Sequence, residues 1–373
     1  MNTPATEPDA TGHGRPGKAA PRSRVFYAAA HVVADPAADN GAGRPAVVDW
    51  DATMRFRHHL WSLGLGIADA MDTAQRGMGL DWAATTELIR RSGAEARSVG
   101  GRLACGAGTD QLAPGAHSLA AIEAAYAEQL DVVQESGAKV ILMASRALAA
   151  AATGPADYHA VYGKLLAQAE QPVILHWLGD MFDPALAGYW GAADLDAATE
   201  SALELIHANA SKIDGIKVSL LDEAREVAIR RRLPEGVRLY TGDDFNYPQL
   251  IAGDDVGYSD ALLGIFDAIA VPAAKALELL DAGDTAGFRA VLDPTVPLAK
   301  HIFGTPTYHY KTGIVFLAWL NGHQDRFVMV GGQEHSRSRD HLLELHRLAG
   351  EAGVLDDPDL AADRLARYLD GAA

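Results

Sequence analysis

The sequence predicts an α/β protein: a closed (β/α)8 TIM barrel with a C-terminal helical extension. Short apolar runs rich in β-forming residues alternate with longer stretches at helical spacing. Several of the runs are nearly unbroken, as strands covered on both faces are. No GxGxxG or P-loop segment follows the first run, so a nucleotide-binding open sheet is disfavoured.

Eight runs read as strands: 25–34, 65–71, 102–107, 139–144, 172–177, 213–219, 237–241 and 255–259. The first leads into Val33-Ala34-Asp35-Pro36, and the fifth holds Val173-Ile174-Leu175. Helical spacing joins Trp82 with Leu88 and Ile89, Ile122 with Tyr126 and Leu130, and Tyr158 with Val161, Leu165 and Leu166. Strands that each lead into a helix favour a closed barrel over a doubly wound sheet. From residue 284 to 373 the strand rhythm stops and helical patterns dominate, with Leu342, Leu345 and Leu348 in one and Leu360, Leu365 and Leu369 in another. The expected organisation is a disordered tail over 1–24, a barrel over 25–283 and a helical extension over 284–373 packed on it. Two extension segments, 304–313 and 331–340, stand out by composition without an evident role.

Composition narrows the function. With 49% apolar and 22% charged residues, the 373-residue chain has the make-up of an ordinary globular protein. One cysteine excludes an intrachain disulfide and disfavours a zinc-thiolate site. Against 49 acidic residues stand 32 Lys and Arg, a formal charge of −17, which argues against nucleic acid or an anionic membrane surface as partner. The N-terminal residues have no apolar core of a signal peptide. The long apolar run 261–272 is interrupted by Asp267 and falls short of the ~20 residues that span a bilayer. The default address is cytoplasmic.

In a barrel, chemistry sits where the strands end. Asp214-Gly215-Ile216-Lys217-Val218-Ser219 places a lysine near the end of the sixth strand. There it points into the barrel mouth, where partial desolvation disfavours the ammonium and lowers its pKa. A neutral amine condenses with a carbonyl, and the iminium draws electrons from the adjacent bond. The plainer alternative is a solvated lysine closing a strand.

Four segments set this lysine in context: Gly215-Ile216-Lys217, Pro172-Val173-Ile174-Leu175-His176-Trp177, Thr241-Gly242-Asp243-Asp244 and Gly257-Tyr258-Ser259, followed by Ala282-Gly283-Asp284. In order and spacing, over about 48–321, the chain resembles the dihydrodipicolinate synthase/N-acetylneuraminate lyase family of class I, Schiff-base aldolases, as a divergent branch. The resemblance implies that Lys217 forms the imine and that His176 stands where the family has a proton-relaying tyrosine. An imidazole titrates near neutrality and suits that work. It further implies a homo-oligomer, and no external cofactor, since the lysine adduct is itself the electron sink.

The departures bear on substrate. The family's G-T-T-G-E loop reads Asp72-Thr73-Ala74-Gln75-Arg76 here, and its Tyr-Tyr segment after the fourth strand reads Met143-Ala144-Ser145-Arg146. Thr73 is retained; Asp72 and Gln75 are candidates for hydroxyl groups and Arg76 for an anion. Asp243, Asp244 and Ser259 complete the expected substrate-binding set, with Asp243 and Asp244 equally suited to holding their loop. Together with Asp180, Tyr308 and His309 these polar groups suggest a 2-keto sugar acid or related keto-sugar as the small-molecule carbonyl substrate, cleaved by a lyase, aldolase or dehydratase. A metal-dependent isomerase or hydrolase drawing on His31, His176, Asp180, Glu334 and His335 is a second reading. A non-catalytic ligand-binding barrel is a third.

Overall fold

The computed structural model describes residues 23–371. Eight parallel strands close on themselves in sequence order: β1 Phe26–Ala29, β2 Gly66–Asp69, β3 Leu103–Ala107, β4 Lys139–Leu142, β5 Val173–Leu178, β6 Ile213–Ser219, β7 Arg238–Thr241 and β8 Asp260–Leu263. Between them run α1 Trp50–Ser62, α2 Trp82–Val99, α3 Leu119–Glu135, α4 Arg146–Ala151, α5 Pro155–Gln168, α6 Leu195–Ala208, α7 Glu223–Arg230 and α8 Tyr247–Ala252. After β8 come α9 Ile265–Ala268 and α10 Ala270–Asp281, then the extension: α11 Thr285–Leu292, α12 Val296–Ile302, α13 Tyr310–Leu320, α14 Arg339–Glu351 and α15 Pro358–Leu369. The predicted TIM barrel with added helices is the fold observed. Among the described residues no helix is long and apolar enough to cross a membrane.

Alternation along each strand creates two cores. Tyr27, Ala68, Ala104, Ile141, Ile174, Tyr240 and Leu262 fill the barrel interior. Their outward neighbours, such as Ile67, Cys105, Leu175, Ile216 and Leu263, pack beneath the helices. Polar N-caps start several of those helices at the loops: Asp81 accepts from Ala84 N, Ser118 from Ala121 N and Asp222 from Arg225 N.

The expected tail, 1–24, lies outside the described residues as far as residue 22. Ser23 and Arg24 are tied down, the latter through Nε to Ile251 O at 3.0 Å. The eighth strand differs from the expected 255–259. Asp254 Oδ1 accepts the N–H groups of Val256 and Gly257, each at 2.9 Å, and folds that segment into a turn. The strand is the apolar run that follows, so Gly257-Tyr258-Ser259 is no strand segment.

The extension sits on the barrel through α13, whose residues are all buried. It is apolar nearly all round, the pattern of a helix surrounded by protein. α9, α12, α14 and α15 pack about it. Its first turn reaches the mouth of the barrel.

Candidate active site

Along β6 the side chains of Lys217 and Ser219 face the barrel mouth while Ile216 and Val218 pack outward. Lys217 is 7% exposed. Among the described residues no hydrogen-bond or ion-pair partner holds its Nζ. Around it lie Asp72, Thr73, Ser219, Asp244, Phe182 and Tyr310. Burial lowers the lysine's pKa, and the carboxyl groups of Asp72 and Asp244 oppose that shift. Gly242 makes room: a Cβ there would stand 2.8 Å from Lys217 Cε and closer still to Ser219 Oγ. This gives the glycine of Thr241-Gly242-Asp243-Asp244 a steric reason.

His176 is the register partner of Lys217 on the neighbouring strand. It is fully buried and does not line the lysine pocket; its Nε2 lies 3.3 Å from Ser219 Oγ and its Nδ1 has no partner among the described residues. Burial, reinforced by the charge of Lys217, holds its pKa well below the usual imidazole value. The imidazole is therefore neutral at physiological pH, where the sequence suggested a group titrating near 7.

The expected substrate-binding residues separate into two groups. Asp72, Thr73 and Asp244 line the lysine pocket. Asp244 Oδ1 accepts the Ile265 N–H at 2.8 Å, and burial pushes its carboxyl up to about 7. The other four have different work. Gln75 donates from Nε2 to Val330 O at 2.8 Å, fastening the extension to the β2–α2 loop. Arg76 is engaged by Asp110, by Gln129 Oε1 at 2.6 Å and by Gly106 O at 2.8 Å. Asp243 holds its own turn, accepting from Phe245 N at 2.8 Å and Asn246 N at 3.0 Å. Ser259 precedes β8, at the end of the strand away from the pocket, and donates to Glu226 Oε1 at 2.8 Å. Its place in the expected substrate-binding set followed from the misplaced eighth strand. Among the described residues no three His, Cys, Asp or Glu side chains group as a metal site requires.

Tyr310 is the site residue that sequence reasoning missed. It opens α13, is 4% exposed, and its hydroxyl lies 2.8 Å from Thr73 Oγ1. Its ring stacks on Phe303, with centroids 4.4 Å apart. Burial, with Asp72 beside it, raises its pKa well above that of a free phenol, so it keeps its proton. The segment 304–313 stands out by composition, yet nothing in one sequence says that a helix beyond the barrel reaches its mouth. Next to it, Lys311 is also buried, and burial lowers its pKa to about 8.

The space at the lysine is tight, about 10 Å³, close to one water. Asp72 and Leu178 form part of its wall and also part of the wall of a larger cleft of about 780 Å³. That cleft runs between the loops that follow β2, β3, β4 and β5.

The family model DUF993, described as a protein of unknown function, matches residues 4–372. No curated protein matches the chain in sequence. Solved structures match it in shape. One is YagE of E. coli K12, a prophage protein belonging to the dihydrodipicolinic acid synthase family, in complex with pyruvate. It is 13% identical, with a TM-score of 0.69, over 89% of this chain and 99% of that one. The dihydrodipicolinate synthase of Aquifex aeolicus is 13% identical, with a TM-score of 0.67, over 90% and 100% of the two chains. That of Thermotoga maritima is 13% identical, with a TM-score of 0.66 and the same coverage. Identities this low speak for the fold. By a match running almost from end to end, the chain belongs to the DUF993 family and carries the barrel fold of the dihydrodipicolinate synthases.

Proposed function

We propose that this protein is a Schiff-base-forming lyase of the class I aldolase or dehydratase type, with Lys217 as the imine-forming residue. One observation carries the proposal: an amine at the C-terminal mouth of the barrel, buried, without a hydrogen-bond or ion-pair partner among the described residues, and lowered in pKa by that burial. The binding of pyruvate by YagE, a protein of the same fold, supports a small ketone or 2-keto acid at that amine.

The neutral Nζ of Lys217 adds to the substrate carbonyl carbon. The carbonyl oxygen leaves as water, taking one proton from the amine and one through the Tyr310 hydroxyl, and a C=N⁺ iminium remains. The bond beyond the neighbouring carbon then breaks and its electron pair moves to the iminium nitrogen, leaving an enamine. In the aldol case a carboxylate, Asp72 by its place at the pocket's opening, takes the proton of the departing hydroxyl, and an aldehyde leaves. Protonation of the enamine and addition of water release the second carbonyl product and the amine. Asp244, with its carboxyl near neutrality, takes up the proton that the lysine ammonium must lose before attack. His176 holds Ser219 behind the lysine and adds no charge.

Borohydride added with pyruvate fixes such an imine as a secondary amine. Mass spectrometry of the digest should find the adduct on the peptide holding Lys217, and Lys217→Arg should give none. An adduct elsewhere, or none with any ketone or aldehyde, would remove the assignment.

A further inference from the structure

We infer that the cleft beside the lysine pocket binds the body of the substrate, and that this body is an uncharged apolar chain or ring, not a polyol. The inference rests on the Schiff-base reading for the carbonyl end and on the cleft for the rest. The two spaces differ by nearly two orders of magnitude: about 10 Å³ at the lysine against about 780 Å³ in the cleft. Only the reacting carbonyl and its small neighbours fit at Lys217, so whatever hangs from them lies past Asp72 and Leu178, in the cleft.

Carbon forms the open wall there: Leu112, Pro114, Met143, Ala147, Leu178 and Leu186. Apart from Asp72, and from the Nη groups of half-exposed Arg146, the polar side chains between them have partners among the described residues. Arg76 holds Asp110 and Gln129, Arg146 bonds Asp183 through Nε at 2.5 Å, and Thr109 and Ser145 share a hydrogen bond of 2.6 Å. His117 Nε2 is 2.7 Å from Ala113 O. A polyhydroxylated body would lose its water and gain few partners, a net cost. An apolar body gains by leaving water. Asp72, at the junction and with no hydrogen-bond partner for its carboxylate among the described residues, disfavours an anionic group at the cleft's entrance. The sugar-acid expectation leaned on Asp72, Gln75, Asp180, Asp243, Asp244, Tyr308 and His309, of which Asp72 and Asp244 line the lysine pocket. Gln75 fastens the extension, Asp243 holds a turn, and Asp180 faces solvent.

The test uses three 2-keto acids with the full-length protein: pyruvate, 2-oxo-4-phenylbutanoate and 2-keto-3-deoxygluconate, each with borohydride and read by intact mass. The phenyl compound should be trapped with at least about tenfold greater efficiency than the sugar acid. Ala147→Trp, or Ala150→Trp should the first fail to fold, fills the cleft and should lower the ratio of phenyl to pyruvate trapping by about tenfold. Equal or better trapping of the sugar acid overturns the inference while leaving the imine in place. Absence of any adduct at Lys217, pyruvate included, overturns the lyase reading instead. In that event calorimetry of the two bulky compounds with Lys217→Ala still decides the cleft: phenyl binding upholds it, and preference for the sugar acid defeats it.

Discussion

Thr73 and Tyr310 lie 237 residues apart in the chain, yet their hydroxyl oxygens are 2.8 Å from one another at the wall of the lysine pocket. One belongs to the loop after β2, the other to the first turn of α13. The helical extension is thus part of the site, not an ornament on the barrel. Gln75 and Gly79 seat it there: Gln75 bonds Val330 O, and a Cβ at Gly79 would stand 2.6 Å from the same oxygen.

Tyr310→Phe keeps the ring and its stacking on Phe303 and removes the hydroxyl alone. Loss of one hydrogen bond costs about 1 kcal/mol of stability, a small shift in a melting curve. Loss of a positioned proton donor costs about a hundredfold or more in turnover. Steady-state kinetics beside a thermal melt check the pair of expectations. A variant as active as the parent would leave Tyr310 as packing only.

Asp244→Asn separates loop-holding from chemistry. The amide oxygen can still accept the Ile265 N–H, but the group at about 7 is gone. Turnover of the parent should rise as pH passes upward through about 7, and the variant should lose that step. Borohydride trapping reads the lysine instead. Because Asp244 favours the Lys217 ammonium, its removal should move the trapping curve to lower pH. If neither curve moves, Asp244 serves the loop alone.

The barrel was legible in the sequence because its strands carry a strong local signal, nearly continuous apolar runs such as Val173-Ile174-Leu175. The eighth strand was misread because Asp254 makes its turn by side-chain hydrogen bonds, which a hydropathy pattern does not register. That Lys217 lies in the barrel mouth was legible from the convergence of strand ends, and that Thr73, Asp72 and Asp244 lie beside it followed from the family resemblance of their segments. Arg76 and Gln75 were not. A buried arginine bonded to Asp110 and a free one read alike until tertiary partners are known. Tyr310 was hidden for the opposite reason: it comes from a helix whose docking no barrel rule specifies.

Glu226, behind β7, offers a stability test independent of catalysis. It is 1% exposed and accepts hydrogen bonds from Thr241 and Ser259, and burial pushes its carboxyl from 4.5 to about 8. The folded chain therefore holds this proton more tightly than the unfolded one. Its stabilising effect is complete below about 4.5 and lost as pH rises through about 8. Glu226→Gln imitates the protonated form. Melting curves at pH 6 and pH 9 should diverge for the parent, by a few kcal/mol at most, and nearly coincide for the variant. A parent as stable at pH 9 as at pH 6 would show that the carboxylate finds compensation.

His176 stands beside Lys217 in register but touches the pocket only through Ser219. As a neutral group whose Nδ1 has no partner among the described residues, it is suited to positioning more than to proton exchange with substrate. His176→Gln, which can still bond Ser219 Oγ, should keep turnover within about tenfold and leave the pH profile of trapping unmoved. His176→Phe removes the bond, and should raise KM and slow trapping by letting Ser219 and the lysine shift. A relay would behave otherwise: Gln would be as slow as Phe in turnover, and the profile would lose a limb. Measuring kcat, KM and the trapping curve for both variants separates the two roles, since a merely unfolded protein would move all three and its melting temperature together.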